Sequence, residues 1–155
     1  MHFMHAVIES PIGPLGLEDD GTALTRVTFH ATGQPGSEQL RGVLGEARRQ
    51  LDAYFARKLT RFDVPLAPAG TPFQRAVWDA LVTIPYGETW SYAALASRIG
   101  RPDAVRAVGA ANGRNPIPII VPCHRVIGSD GRLVGFGGGL DVKRILLDLE
   151  SRRLF

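Results

Sequence analysis

Three prolines fall within eight residues, Pro65-Leu66-Ala67-Pro68-Ala69-Gly70-Thr71-Pro72. Each fixes its own φ and lacks an N–H, so the segment neither continues a helix nor enters a central strand. It reads as a boundary, giving an N-terminal domain over residues 1–65, a linker over 66–72 and a C-terminal domain over 73–155. A chain of 155 residues has room for one ordinary domain or two small ones. Its 45% hydrophobic and 21% charged residues suit a folded globular protein rather than a disordered one.

The first part reads as a small α+β unit. Residues 3–9 alternate as a strand, residues 10–14 turn, and residues 15–18 and 23–30 add two strands around Asp19-Asp20-Gly21. A helix capped by Ser37 and running to about Arg57 carries Leu40, Leu44, Ala47, Leu51 and Tyr54 on one face, suited to covering the sheet.

Beyond the prolines, Thr71-Pro72 starts a helix with Phe73, Val77, Leu81 and Ile84 on one side, ended by Pro85-Tyr86-Gly87. Ser91 caps a helix over residues 92–99. Gly100-Arg101-Pro102 breaks it, and a second helix covers residues 103–112, giving the form of a helix-turn-helix. Ala104, Ala107, Gly109, Ala110 and Ala111 make the second helix small-sided. Such a helix either packs tightly in a core or approaches a narrow groove closely, and the second possibility suggests docking in a DNA minor groove. Residues 119–121 read as a β-branched strand between prolines.

Charge is divided unevenly. Residues 1–65 hold seven basic and eight acidic side chains, residues 66–155 eleven and seven, and 16 of the 18 basic residues are Arg. Arg98, Arg101, Arg106, Arg114, Arg125 and Arg132 face only two carboxylates across their stretch. The planar guanidinium donates two hydrogen bonds to one phosphate, so the second half suits a nucleic acid, although a solvated arginine face reads the same way.

The single cysteine, Cys123, rules out an internal disulfide and a Cys-rich zinc site. Met1-His2-Phe3-Met4-His5 has no basic segment ahead of an apolar stretch. No membrane association is expected, and the expected location is cytoplasmic. Cys123 sits in Pro122-Cys123-His124-Arg125, where cationic neighbours are expected to lower the thiol's pKa and favour the nucleophilic thiolate.

Pro122-Cys123-His124-Arg125-Val126 resembles the active-site signature of the O6-alkylguanine-DNA alkyltransferases, the methylated-DNA–protein-cysteine methyltransferases. The resemblance extends in order and spacing through Gly87-Glu88-Thr89, Ser91-Tyr92, Arg106-Ala107-Val108-Gly109, Asn115-Pro116 and Gly138-Gly139-Leu140 to Lys143, Leu146-Leu147 and Glu150. It implies an α/β (α+β) fold, with a ribonuclease-H-like N-terminal domain and a winged-helix-like helix-turn-helix C-terminal domain. The implied activity is single-turnover repair of O6-alkylguanine, and of O4-alkylthymine, in double-stranded DNA, without cofactor or metal.

By the same resemblance Cys123 is the alkyl acceptor, His124 the base acting through a water, and Glu150 the carboxylate orienting its ring. Tyr92 helps rotate the nucleotide and protonates guanine N3, Asn115 ties the helix-turn-helix to the active-site loop, and Arg106 fills the space of the flipped nucleotide. Ser91, Ala107, Gly109, Arg114 and Arg125 would meet DNA as well. Pro118, Val126, Phe136 and Gly137 would form the pocket, with the carbonyls of Cys123 and Val126 on the exocyclic amine and the Gly137 amide on O6. The implied protein is a monomer, with cooperative assembly on DNA left open.

Phe136 stands where the family often has Tyr, and Gly137-Gly138-Gly139 suggests a roomier lip that admits alkyl groups larger than methyl. Trp90 is either structural or a DNA contact. Relatives that bind zinc through cysteines and histidines differ from this chain, whose other histidines are His2, His5 and His30. Three other readings are a damage sensor without chemistry, a helix-turn-helix regulator and a cysteine hydrolase. The thiol opposes the first, the small-sided helix the second, and the adjacency of Cys123 and His124 the third.

Overall fold

A computed structural model describes residues 4–36 and 39–151. The chain divides into two compact units, Met1–Ala69 and Gly70–Phe155.

In the first unit, β1 (Met4–Ile8), β2 (Leu15–Asp19) and β3 (Leu24–Phe29) form an antiparallel meander in that order. Leu15 pairs with both Ile8 and Phe29, and the register slips between Glu18 and Asp19. Asp20 closes the second turn by accepting hydrogen bonds from the amides of Thr22 and Ala23, both at 2.9 Å. Helix α1 (Gly42–Phe55) lies against all three strands and buries Leu44, Ala47, Leu51 and Tyr54.

This helix begins later than its hydrophobic spacing suggests. Gly42 has φ +60°, a left-handed conformation through which a right-handed helix cannot extend back. Phe3 and Ser37, assigned to the first strand and to the helix cap, lie outside the described residues. The proline segment also differs from a free linker. Leu24 N–H donates to Pro65 O (2.8 Å) and Ala67 N–H to Leu24 O (2.9 Å), a bridge that needs no donor from either flanking proline.

In the second unit, α2 (Pro72–Val82) opens with a capping box: Gln74 N–H donates to Thr71 Oγ1 and Thr71 N–H to Gln74 Oε1. Its buried face holds Val77, Trp78 and Leu81. A Cβ at Gly70 would lie 2.4 Å from the Trp78 ring, so only glycine fits there. Strand β4 (Trp90–Ser91) leads into α3 (Tyr92–Arg98), capped by Ser91 Oγ on the Ala94 amide at 3.0 Å, and α4 (Val105–Gly113) follows. Trp78 Nε1–H donates to Ala111 O at 2.8 Å, fixing α2 to α4.

Residues 119–121 are not a strand. They form a buried turn with Ile119 at φ +74°, because Pro116 and Pro118 supply no ladder donors and the apolar side chains enter the core from a loop. The turn leads into a single 3₁₀ turn, Cys123–Arg125, and then into β5 (Val126–Ile127), which pairs in parallel with β4. The last element, α5 (Leu140–Ser151), buries Val142, Lys143, Leu146 and Glu150. Among the described residues no helix is long and apolar enough to cross a membrane.

Candidate active site

Cys123 opens the 3₁₀ turn and is 6% exposed. The Asn115 side chain braces the turn ahead of it: Nδ2 donates to Val121 O at 2.7 Å and Oδ1 accepts from the Ile117 amide at 3.0 Å. Burial pushes the thiol up to about 11, against a hydrogen bond with Asn115 and the Lys143 charge. The expected depression by flanking cations does not occur. Arg125 is committed elsewhere, and burial lowers the basicity of His124, outweighing the attraction of Glu150.

The next two residues meet α5. His124 Nε2 lies 2.6 Å from Glu150 Oε2, and Arg125 clamps the same carboxylate, Nε to Oε1 at 2.7 Å and Nη2 to Oε2 at 3.0 Å. Arg125 Nη1 donates to Ile84 O at 2.6 Å. Burial alone would raise the Glu150 carboxyl, but its bonds with His124 and Arg125 outweigh that and hold it at about 2. A neutral imidazole beside a carboxylate donates Nε2–H to it, which leaves the Nδ1 lone pair as a base. Nδ1 is buried without a hydrogen-bond partner.

Arg125 is therefore corrected as a DNA contact. Its guanidinium is buried against Glu150 and a backbone carbonyl, with no face left for phosphate.

A cleft of ≈ 520 Å³ opens between α3, α4 and the loop before α5, lined by Tyr92, Val105, Gly109, Asn112, Gly113 and residues 134–137. Burial raises the Tyr92 phenol, and the charge of a Cys123 thiolate raises it further, so it stays protonated at neutral pH. Lys143 is fully buried. Its Nζ donates to Val126 O (2.7 Å) and Val134 O (2.9 Å), joining β5 to the cleft's lip, and burial lowers its pKa.

On α4, Arg106, Ala107, Ala110 and Gly113 are exposed and Gly109 is half-buried against the Tyr92 ring. Ala107, Ala110 and Gly113 thus lie on an outer face, whereas Ala111 is buried in the core. Arg98 and Arg114 are exposed as well, Arg98 lying over Trp90 at 4.5 Å from the ring centre.

Residues 3–68 match the family model described as 6-O-methylguanine DNA methyltransferase, ribonuclease-like domain, and residues 72–152 match its DNA binding domain. The chain belongs to the 6-O-methylguanine DNA methyltransferase family. A methylated-DNA–protein-cysteine methyltransferase of Mycobacterium tuberculosis is 54% identical across 96% of this chain and 93% of its own length. One from Methanosarcina acetivorans is 53% identical, covering 95% and 97%. The crystal structure of the M. tuberculosis O6-methylguanine methyltransferase superposes with TM-score 0.85 at 51% identity, over 97% of this chain and 93% of that one. The M. tuberculosis protein in complex with DNA gives 0.84 at 52%, with the same coverage. The fold is the family's: a ribonuclease-like domain followed by the DNA-binding domain.

Of the residues singled out in the sequence, the structure draws Cys123, His124 and Glu150 into one buried cluster beside the half-buried Asn115, and sets Tyr92, Phe136 and Gly137 together in the cleft. Pro118 and Val126 are buried and do not line that cleft. Ser91 serves the α3 cap. Two residues carried no assignment in the sequence. Lys143 was one position in a matching pattern, and Asn112 was the end of a helix. The only sequence signal for either was a polar residue on an otherwise apolar helical face.

Proposed function

We propose that this chain repairs O6-alkylguanine in DNA by moving the alkyl group irreversibly onto Cys123, once per molecule. It is an enzyme of the methylated-DNA–protein-cysteine methyltransferase class. The observation that carries the assignment of roles is the His124 imidazole, bound through Nε2 to an ionised Glu150 and bearing a buried, unpartnered Nδ1 directly after the thiol.

A thiol held near 11 is almost wholly protonated at neutral pH, so the thiolate forms as the reaction proceeds. His124 Nδ1 takes the thiol proton through a water, and Glu150 stabilises the imidazolium. The sulfur attacks the alkyl carbon, the carbon–O6 bond breaks with its electron pair on the base, and Tyr92 delivers a proton to N3. Tyr92 and His124 then return to their starting states by exchange with solvent. The net change is one S–C bond for one O–C bond, with the thiol proton on the restored guanine.

A thiol this buried cannot reach a stacked base, so the nucleotide is flipped out of the duplex. The exposed small-residue face of α4 supports an approach through the minor groove, with Arg106 entering the stack and Arg98 and Arg114 near the phosphates. A Cβ added at Gly137 would meet nothing within 4 Å, which supports a lip that admits alkyl groups larger than methyl. O4-alkylthymine is a second substrate, and the protein acts as a monomer in the cytoplasm.

The test is intact mass after mixing with a duplex containing O6-methylguanine. One added methyl on Cys123 and no second turnover are expected. Catalytic turnover, or an unmodified thiol beside repaired DNA, refutes the assignment.

A further inference from the structure

We infer that Trp90 is a platform that holds the Arg98 guanidinium as a preformed clamp for a DNA phosphate beside the mouth of the cleft. The inference rests on the DNA-docking part of the reading above and gives a role to Trp90, which that reading leaves without one.

Trp90 is half-buried in β4, and its backbone pairs with Val126 of β5, three residues after the thiol. Arg98 lies in the last turn of α3, eight residues further along the chain, and is exposed. Helical side chains lean toward the N-terminus of their helix. Arg98 accordingly runs back along α3 until its guanidinium carbon lies 4.5 Å from the centre of the Trp90 ring. Ala94, one turn earlier on the same exposed face, is too short to stand between them. The charge is thereby placed at the end of α3 that begins with Tyr92, whose ring meets Gly109 of α4 in the cleft.

Of the arginines in this half of the chain, Arg101 lies 3.7 Å from Asp103, Arg132 lies 3.9 Å from Asp130, and Arg125 is bound by Glu150. No carboxylate among the described residues pairs with Arg98. A ring beneath one face of a guanidinium attracts the charge and leaves the N–H donors at the rim of the plane free. A stacked, exposed and unpaired arginine therefore suits an acceptor that takes two donors at once, and a phosphate is such an acceptor. A strand that delivers its nucleotide to Tyr92 brings its phosphates past this end of α3. The ring also limits the rotamers of Arg98 before DNA arrives, so less side-chain freedom is lost on binding. Because β4 is paired with the strand that follows the Cys123 turn, the platform keeps the clamp in register with the thiol.

The experiment measures the affinity of the full-length chain for an undamaged duplex over a range of salt concentrations. It compares the unsubstituted chain with Arg98→Gln, Trp90→Leu, Trp90→Phe and the double variant Trp90→Leu with Arg98→Gln. Arg98→Gln is expected to weaken binding about fivefold at low salt and to reduce the logarithmic salt slope by about one. Trp90→Leu keeps every charge and is expected to cost about threefold, and Trp90→Phe less, because a smaller ring face remains. In the Arg98→Gln background Trp90→Leu is expected to cost nothing further. A salt slope unchanged by Arg98→Gln overturns the inference. So does a Trp90→Leu loss that persists in that background, the result of a ring that touches DNA itself or merely supports the fold. Arg98→Gln alters one exposed side chain, so it decides the matter if the Trp90 variants fold poorly. Transfer from an O6-methylguanine duplex is measured separately, and its failure in the unsubstituted chain would overturn the alkyl-transfer reading while the binding data still decide this one.

Discussion

His124 Nε2 and Glu150 Oε2 lie 2.6 Å apart although 26 residues separate them in the chain, and neither side chain is more than 1% exposed. The pair joins the 3₁₀ turn that carries the thiol to the last turn of α5. It also leaves Nδ1 as the imidazole nitrogen without a hydrogen-bond partner.

Glu150→Gln removes the charge that stabilises the imidazolium while keeping the shape. Transfer should slow by at least about tenfold, within the range usual for general-base contributions. Burial already depresses His124 below the ordinary histidine value of 6.5, so the rate should fall on acidification only below that pH. Glu150 raises the His124 pKa, so the variant's acid limb should move lower still. A pH–rate profile checks both points, and an unaltered plateau would show that the pair does not serve the chemistry.

Arg125 clamps Glu150 through two nitrogens and ties it to Ile84 O through a third. Arg125→Met leaves a buried carboxylate half-paired and should cost about 3 to 5 kcal/mol in urea unfolding. Lysine cannot span the carboxylate and the carbonyl together, so Arg125→Lys should fall between. Affinity for undamaged duplex, measured on folded variants, should not change. A weaker salt dependence of that affinity would restore Arg125 as a phosphate contact.

The raised thiol pKa makes stability depend on alkaline pH. Its folded value lies above the ordinary thiol value of 9.0, so the contribution is fully present below about 9 and is lost as pH rises through 11. That difference corresponds to about 2 to 3 kcal/mol. Denaturant unfolding at pH 8 and pH 11 should show this loss in the unsubstituted chain and not in Cys123→Ala. Parallel losses in both would place the titrating group elsewhere.

Lys143→Met should release the lip of the cleft. The methionine fills similar space but leaves the carbonyls of Val126 and Val134 without their donor, at about 1 to 3 kcal/mol each. Faster proteolysis within residues 128–137 and slower transfer are expected. Cleavage at the original rate would mean that the loop is held by other contacts.

Several features were legible along the chain because they depend on neighbours in sequence. The meander's turns, the Thr71-Pro72-Phe73-Gln74 cap, the Ser91 cap and the break between α3 and α4 are each set by two to four adjacent residues. The proline-flanked segment before Cys123 misled for the same reason. Its β-branched composition suggests a strand, while its burial comes from distant elements packed around a turn. Helix α5 was obscured because Lys143 and Glu150 occupy its buried face and break the apolar period.

The site divides along the same line. The order of residues is enough to specify that one thiol exists, that an imidazole and a guanidinium follow it, and that a small-sided helix with a single arginine precedes it. What those groups do to one another is settled by packing in three dimensions. Folding brings α5 against the 3₁₀ turn, so Arg125 pairs with Glu150 rather than with phosphate, and His124 becomes a neutral base rather than a cation beside the sulfur. Charge and pKa depend on burial and on the nearest partner in space, and neither is set by adjacency along the chain.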